Sequence, residues 1–291
     1  MSETTPIQTF EIYIPKGAIN LKNALPPQIR LGLQGYGGEG KSYAAATFPN
    51  TIFASFDRGL GAHTGREDIN EVPFYNDDFV DSIKKRKTGE PANRRDAYLQ
   101  WLNTEAKKLQ PNQTLVNDAI SDIETAFDTQ EALEPVRTSE GVVDARVFWR
   151  HKIEYFQEIM TILKSLKCHV INLCHEQDDR DSKGNLNGKL KPMVNGQFKD
   201  KIVKEHTDWF RQMAINKYPE DKISDKILKD WGFKTRREML EMQSQFPRDT
   251  IYCWKLDSDD IFSGKCSSLV NFPSYIPSNY KAFQQYQRKV L

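Results

Sequence analysis

Gly35-Tyr36-Gly37-Gly38-Glu39-Gly40-Lys41-Ser42 (GYGGEGKS) follows a short apolar run, Ile29 to Gln34, and opens a small-residue stretch, Lys41 to Thr47, that closes at Pro49. The octet satisfies G-x-x-x-x-G-K-[ST], the pattern of a loop that wraps phosphate groups. Each position has a physical reason. Glycines let backbone N–H groups turn towards phosphate oxygens in conformations that a side chain forbids. A helix starting here adds unpaired N–H groups and the positive end of its dipole. Lys41 offers a compact charge to β- and γ-phosphates, and Ser42 offers a hydroxyl to Mg2+. Gly35 to Ser42, with Tyr43 next on the helix, are the expected nucleotide-binding residues, and ATP and Mg2+ the expected cofactors.

Outward from this octet, Thr51 to Phe56 is the next apolar run, bounded by Asp57, Arg58 and Gly59. Strand, glycine loop, helix and strand make one βαβ unit, which implies a parallel pair with a right-handed crossover. The fold class expected is α/β, a three-layer sandwich with a mostly parallel central sheet. In such a sheet the strand ends that neighbour the glycine loop carry the chemistry. Asp118 ends the run TLVND at 114–118, where a carboxylate would stand beside Mg2+, or else it is a plain surface aspartate. Ala119 follows it in place of Glu, so the group that orients the attacking water must come from elsewhere. Asp57 is that candidate, or else a turn former. His175 and Glu176 end a further apolar run, Val170 to Cys174, either as sensors of the γ-phosphate or with His175 as a satisfied buried histidine.

Composition sets limits. The 291 residues are 38% hydrophobic, enough for one large core. Charges nearly cancel at +1, which excludes a protein that coats nucleic acid by net charge but permits a local basic strip. No apolar run approaches the ~20 residues of a membrane span. The polar start, Met1 to Gln8, resembles neither a signal nor a transit peptide. The four cysteines, Cys168, Cys174, Cys253 and Cys266, form no C-x-x-C pair; they read as reduced thiols in a cytoplasmic protein, with structural zinc as the other option.

The rest of the chain is expected as follows. Thr9 to Ile14 is a half-buried strand within an N-terminal extension, residues 1–27, and residues 28–291 form the main domain. Val72 to Tyr75 is a short strand, and Asp78 to Gln110 is helical with a break at Gly89 to Pro91. Ala119 to Leu133 and Val147 to Leu166 are helices, the second strongly amphipathic. Asp178 to Lys201 carries Gly184, Gly188, Gly196 and six basic residues without periodicity, and reads as a long mobile loop near 177–201. Trp209 to Ile215 and Thr250 to Leu256 are strands around a charged helical insertion near 220–245.

In this order the motifs resemble those of RecA-like P-loop ATPases, above all the compact bacteriophage members that include RecA-like single-strand annealing proteins. GYGGEGKS at 35–42 is similar to their Walker A loop, and IFASFDRGL at 52–60 to the strand that ends in the catalytic carboxylate. TLVND resembles Walker B. VINLCHE at 170–176 and KPMVNGQFKDKI at 191–202 resemble the sensor strand and the segment behind it. The resemblance spans roughly residues 28–270. It implies catalytic roles for Lys41, Asp57, Asp118, His175 and Glu176, and a metal site at Ser42 and Asp118. Two departures stand out: Asp57 is one carbon shorter than the usual Glu, and Asn117 is polar in a normally apolar strand. No N-terminal polymerisation domain is apparent.

The same resemblance implies a homo-oligomer, ring or filament, acting on single-stranded DNA in recombination or annealing. Arg180, Lys183, Lys189, Lys191 and Lys199 would then contact DNA phosphates in a salt-dependent way, though the same stretch is also readable as a solvated loop. Lys255 and Lys265 are candidate cations donated to a neighbour's γ-phosphate; Lys265 also reads as a plain surface lysine. The other function class is a nucleotide-gated interaction module, a replication or helicase-loading adaptor or a defence-related switch, with little turnover.

Overall fold

The computed structural model describes residues 28–180, 183–194 and 198–287. The strand expected at Thr9 to Ile14, the extension over 1–27 and the side chain of Lys199 lie outside the described residues. Among those described, one sheet is built from β1 (Arg30–Gly35), β2 (Thr51–Ser55), β3 (Ile69–Pro73), β4 (Thr114–Asp118), β5 (His169–Arg180), β6 (Leu186–Pro192), β7 (Asp208–Asn216), β8 (Thr250–Lys255), β9 (Lys265–Cys266) and β10 (Tyr275–Pro277). Its order is β10-β8-β7-β1-β5-β4-β2-β3, with β6 on β5 and β9 on β7. From β7 to β3 every pairing is parallel; β8, β10, β6 and β9 add antiparallel margins. The mostly parallel α/β sheet expected from the octet is the one observed.

Helices cover both faces: α1 (Lys41–Ala45), α2 (Asp77–Ile83), α3 (Arg94–Thr104), α4 (Ile120–Leu133), α5 (Ala145–Ser165), α6 (Phe198–Glu205), α7 (Asp225–Trp231), α8 (Arg236–Ser244) and α9 (Tyr280–Tyr286). Successive strand side chains point to opposite faces, and the sequence supplies apolar residues for both. Phe53, Val116 and Ile171 enter the core under α1 and α9, whereas their neighbours Ala54, Leu115 and Val170 enter the core under α3 to α6. In α5 the spacing of Tyr155, Phe156, Ile159, Ile162 and Leu163 places all five on the buried face. Each such burial stabilises by about 1.5–3 kcal/mol. Gly32 is required by a close approach: a Cβ there would lie 1.9 Å from the Trp209 ring. The charged insertion is present as α7 and α8, which build a small core of their own from Leu228, Trp231, Met239 and Met242 against Ile251 of β8.

Asn117, the polar residue inside β4, has a complete explanation. Tyr98 Oη donates to Asn117 Oδ1 (2.7 Å), and Asn117 Nδ2 donates to Asn172 Oδ1 (2.6 Å). Asn172 Nδ2 reaches His206 Nε2 (2.7 Å), and His206 Nδ1 reaches the Ile202 carbonyl (2.8 Å). All four side chains are buried. The chain closes only with the proton of a neutral imidazole on Nδ1, and burial holds the His206 pKa down at about 4. Each polar atom in it has a partner, which is the condition for burying such groups without a large penalty.

The mobile loop expected near 177–201 is corrected. Instead of stopping at His175, β5 continues to Arg180, turns through Gly184 (φ 84°) and returns as β6; α6 begins at Phe198. Two facts hide this strand from a reading of periodicity. Its register shifts between Asp178 and Arg180. Its inward residues are also polar and satisfied by one another, as where the buried Asp179 accepts from Asn187 Nδ2 (2.5 Å) and pairs with Lys191 (3.3 Å).

Candidate nucleotide site

β1 delivers the chain to Gly35, and α1 takes it up at Lys41. Between them Gly38 and Gly40 both have φ of 81°, the left-handed region that glycine enters without strain. Lys41 is buried, and its Nζ donates to the carbonyls of Gly35 and Tyr36 (2.8 Å each). Burial lowers its pKa, with Glu39 and Asp118 opposing the shift. The Glu39 carboxylate accepts from the Tyr36 N–H (2.8 Å), an internal brace that the sequence pattern did not single out. Burial raises its pKa. Ser42 Oγ donates to Asp118 Oδ2 (2.8 Å). Tyr43 is exposed on α1, its ring stacked on His63 at 6.1 Å.

Register brings the acids to the loop. Ser55 pairs with Asp118, Asn117 with Asn172, and Gly35 with His175, so the ends of β2, β4, β5 and β1 form one edge. Asp118 sits there with its pKa raised to about 6, chiefly by burial, while the Ser42 hydrogen bond pulls the other way. Asp57 is exposed just past β2 and accepts from the Gly59 N–H (3.0 Å). It thus forms the turn while its charge reaches Asp118. His175 is half-buried, and burial together with Lys41 lowers its pKa, favouring the neutral ring. Asp122, in the first turn of α4, was not foreseen. Its carboxylate accepts from the Ala119 N–H (3.3 Å), and it is felt by His175.

Three expectations meet a different arrangement. Glu176 points to the opposite sheet face from Asp118. There it accepts from Arg211 Nε (2.9 Å), Arg211 Nη2 (2.8 Å) and Gln34 Nε2 (3.1 Å), so its oxygens are taken. Lys255 is buried and pairs with Asp259 (2.8 Å) beside the Tyr275 hydroxyl (3.3 Å). Lys265 donates to the carbonyls of Lys204 (3.1 Å) and His206. Both proposed trans cations therefore have partners in their own chain. Of the basic set, Arg180 donates to the Gly184 carbonyl (2.8 Å), Lys191 pairs with Asp179, and Lys183 and Lys189 are exposed on the hairpin. All four cysteines are free; burial lifts Cys174, Cys253 and Cys266 to about 12, so they are thiols.

The donor set fits Mg2+. A hydroxyl and a carboxylate already in contact, Ser42 and Asp118, are hard oxygen ligands, and Mg2+ asks for one or two of these beside phosphates and water.

Comparison with solved structures finds an ATPase of a type III secretion system of pathogenic bacteria at 12% identity and TM-score 0.39, covering 63% of this chain and 50% of that one. The secretion ATPase EscN of enteropathogenic E. coli gives 13% and 0.37, over 64% of this chain and 43% of that one. The flagellar accessory protein FlaH of Methanocaldococcus jannaschii gives 12% and 0.35, over 84% and 87%. The chain spans about half the length of the first of these ATPases. No curated protein matches it at a significant level. Among the described residues no helix is long and apolar enough to cross a membrane. The AAA domain profile matches residues 28–245, from the strand before the glycine loop to the end of the helical insertion. This chain belongs to the AAA domain family, as a nucleotide-binding ATPase domain of the P-loop type.

Proposed function

We propose that this protein is a Mg2+-dependent ATPase of the RecA-like, bacteriophage type that works as a homo-oligomer on single-stranded DNA in the cytoplasm. The observation that carries this reading is the course of β5. It passes the phosphate loop at Gly35–His175 and runs on, without a break, into the hairpin that bears Arg180, Lys183, Lys189 and Lys191. One strand thus joins the nucleotide edge to a hairpin on which these four cations stand beside Asp178 and Asp179.

In this reading Lys41 leaves its two carbonyl partners for the β- and γ-phosphates, and the backbone N–H groups around Gly38 and Gly40 hold the remaining oxygens. Ser42 and Asp118 would hold the ion, which would supply charge neutralisation at the phosphates. Asp57 and the neutral His175 are the groups at the edge that can orient water. One observation favours slow turnover, and with it a nucleotide-gated module: the short Asp57 side chain is engaged by the Gly59 N–H.

ATP hydrolysis measured with and without single-stranded DNA tests the proposal. Stimulation by DNA and retardation of DNA at low salt are expected. Arg180→Ala combined with Lys189→Ala should lower the slope of log affinity against log salt by about 0.7 for each DNA phosphate that is no longer neutralised. ATP turnover without DNA should stay intact in that variant. Absence of both stimulation and retardation in the wild type would rule out the DNA reading. ATP binding without turnover would favour the gated module.

A further inference from the structure

Ser55 closes β2 and is the direct register partner of Asp118. Along β2, Ala54 and Phe56 enter one core and Phe53 the other, so Ser55 shares the Phe53 face, the one α1 covers. Asp118 is on that face too, since its carboxylate meets Ser42 of α1. Adjacent strands lie ~4.8 Å apart, which makes the Ser55 hydroxyl and the Asp118 carboxylate neighbours.

Ser55 is fully buried, and its Oγ has no hydrogen-bond partner among the described residues. The other hydroxyl of the same strand behaves differently. Thr51 is equally buried at the far end of β2, and it donates to the Phe48 carbonyl at 2.8 Å. The strand therefore satisfies the hydroxyl remote from the site and leaves the one beside Asp118 unsatisfied. An unpaired buried hydroxyl costs free energy that alanine would avoid, so its presence at this position calls for a partner.

We propose that Ser55 is a further positioning residue of the Mg2+ site, its hydroxyl hydrogen-bonding a water of the ion that Ser42 and Asp118 would hold. Mg2+ gives up its waters reluctantly and keeps several when bound to phosphates. A hydroxyl can donate to or accept from its neighbours, so serine serves such a water without adding a charge beside Asp118. The inference rests on the reading of Gly35 to Ser42 as a Mg2+–nucleotide site.

Calorimetric titration of the full chain with ADP, once in excess Mg2+ and once in EDTA, tests it on wild type, Ser55→Ala and Ser55→Cys. The second variant keeps the site filled, with a slightly larger atom, while weakening the hydrogen bond. In both variants the gain in affinity that Mg2+ confers should shrink about two- to tenfold, the worth of one hydrogen bond. Affinity in EDTA should be unchanged, and the melting temperature without nucleotide should equal or exceed that of wild type. A Mg2+ gain equal to wild type overturns the inference alone. So does a joint fall of EDTA affinity and melting temperature, which would mark Ser55 as structural. Wild type that binds no ADP overturns the nucleotide-site reading and this inference with it.

Discussion

Asp118 and Glu176 are both buried or nearly so, both acidic, and both near the same edge of adjacent parallel strands, yet they are opposite kinds of carboxylate. Among the described residues Asp118 has one side-chain partner, Ser42, on the face covered by α1. Glu176 has three N–H donors, two from Arg211 and one from Gln34, on the other face. At Asp118 burial outweighs the Ser42 hydrogen bond and the Lys41 charge, and its pKa rises to about 6. An acid kept short of donors retains lone pairs for an ion; an acid saturated by its own protein holds strands together. The difference arises from strand period alone, because His175 and Glu176 are consecutive and so cannot face the same ligand.

The sharpest way to break this contrast is Asp118→Asn. The amide can still accept from Ser42 but brings no charge to Mg2+. ATP turnover should fall on the order of 100-fold or more, the scale of lost metal-assisted charge stabilisation. The melting temperature should hold or rise, since a desolvated carboxylate is removed. A steady-state ATPase assay beside a thermal melt checks both; normal turnover would remove Asp118 from the metal site.

Glu176→Ala should do the reverse. It strands the Arg211 guanidinium, whose side chain is only 16% exposed. Breaking a buried ion pair by removing one partner costs about 3 kcal/mol or somewhat more, and the residual exposure of Arg211 moderates it. Chemical denaturation should show that loss while the folded fraction binds ATP as wild type does. If stability is unchanged and turnover collapses, Glu176 is the phosphate sensor after all and the contrast fails.

The same contrast explains what could be read from the sequence. GYGGEGKS announced its loop because a phosphate cradle needs glycine, lysine and serine at fixed spacing, and no other constraint competes. TLVND showed β4 as a short apolar run with an acid at its end, although Asn117 interrupts the pattern to serve the buried relay. The extension of β5 was illegible because its inward residues, Glu176 and Asp179, are polar and become strand-like only once Arg211, Asn187 and Lys191 reach them from elsewhere. Ser55 and Asp122 were missed since a serine in an apolar run and an aspartate in a first helical turn look ordinary until register sets them beside Asp118. The choice between facing α1 and facing Arg211 is one residue wide, and only pairing decides it.

The relay Tyr98–Asn117–Asn172–His206 extends the contrast to neutral groups, with the smallest expected effect. It is saturated as Glu176 is, but it depends on an uncharged imidazole. Above pH 6.5 His206 is neutral both folded and unfolded, and it adds no pH dependence. Between pH 6.5 and about 4 the unfolded chain takes up a proton that the buried ring refuses, so stability falls as pH falls. From pH 7.5 to pH 5 the loss should be about 2 kcal/mol. His169, held at about 4 by burial and Arg30, acts in the same direction, and the raised pKa of Asp118 acts in the opposite one. Both groups remain in His206→Gln, so their contributions cancel when the two proteins are compared. Urea denaturation at the two pH values should therefore show the stability of His206→Gln changing less with pH than that of wild type, even if the variant starts lower. Equal changes would mean that the ring is charged when folded, and that the donors and acceptors of the relay run in another order.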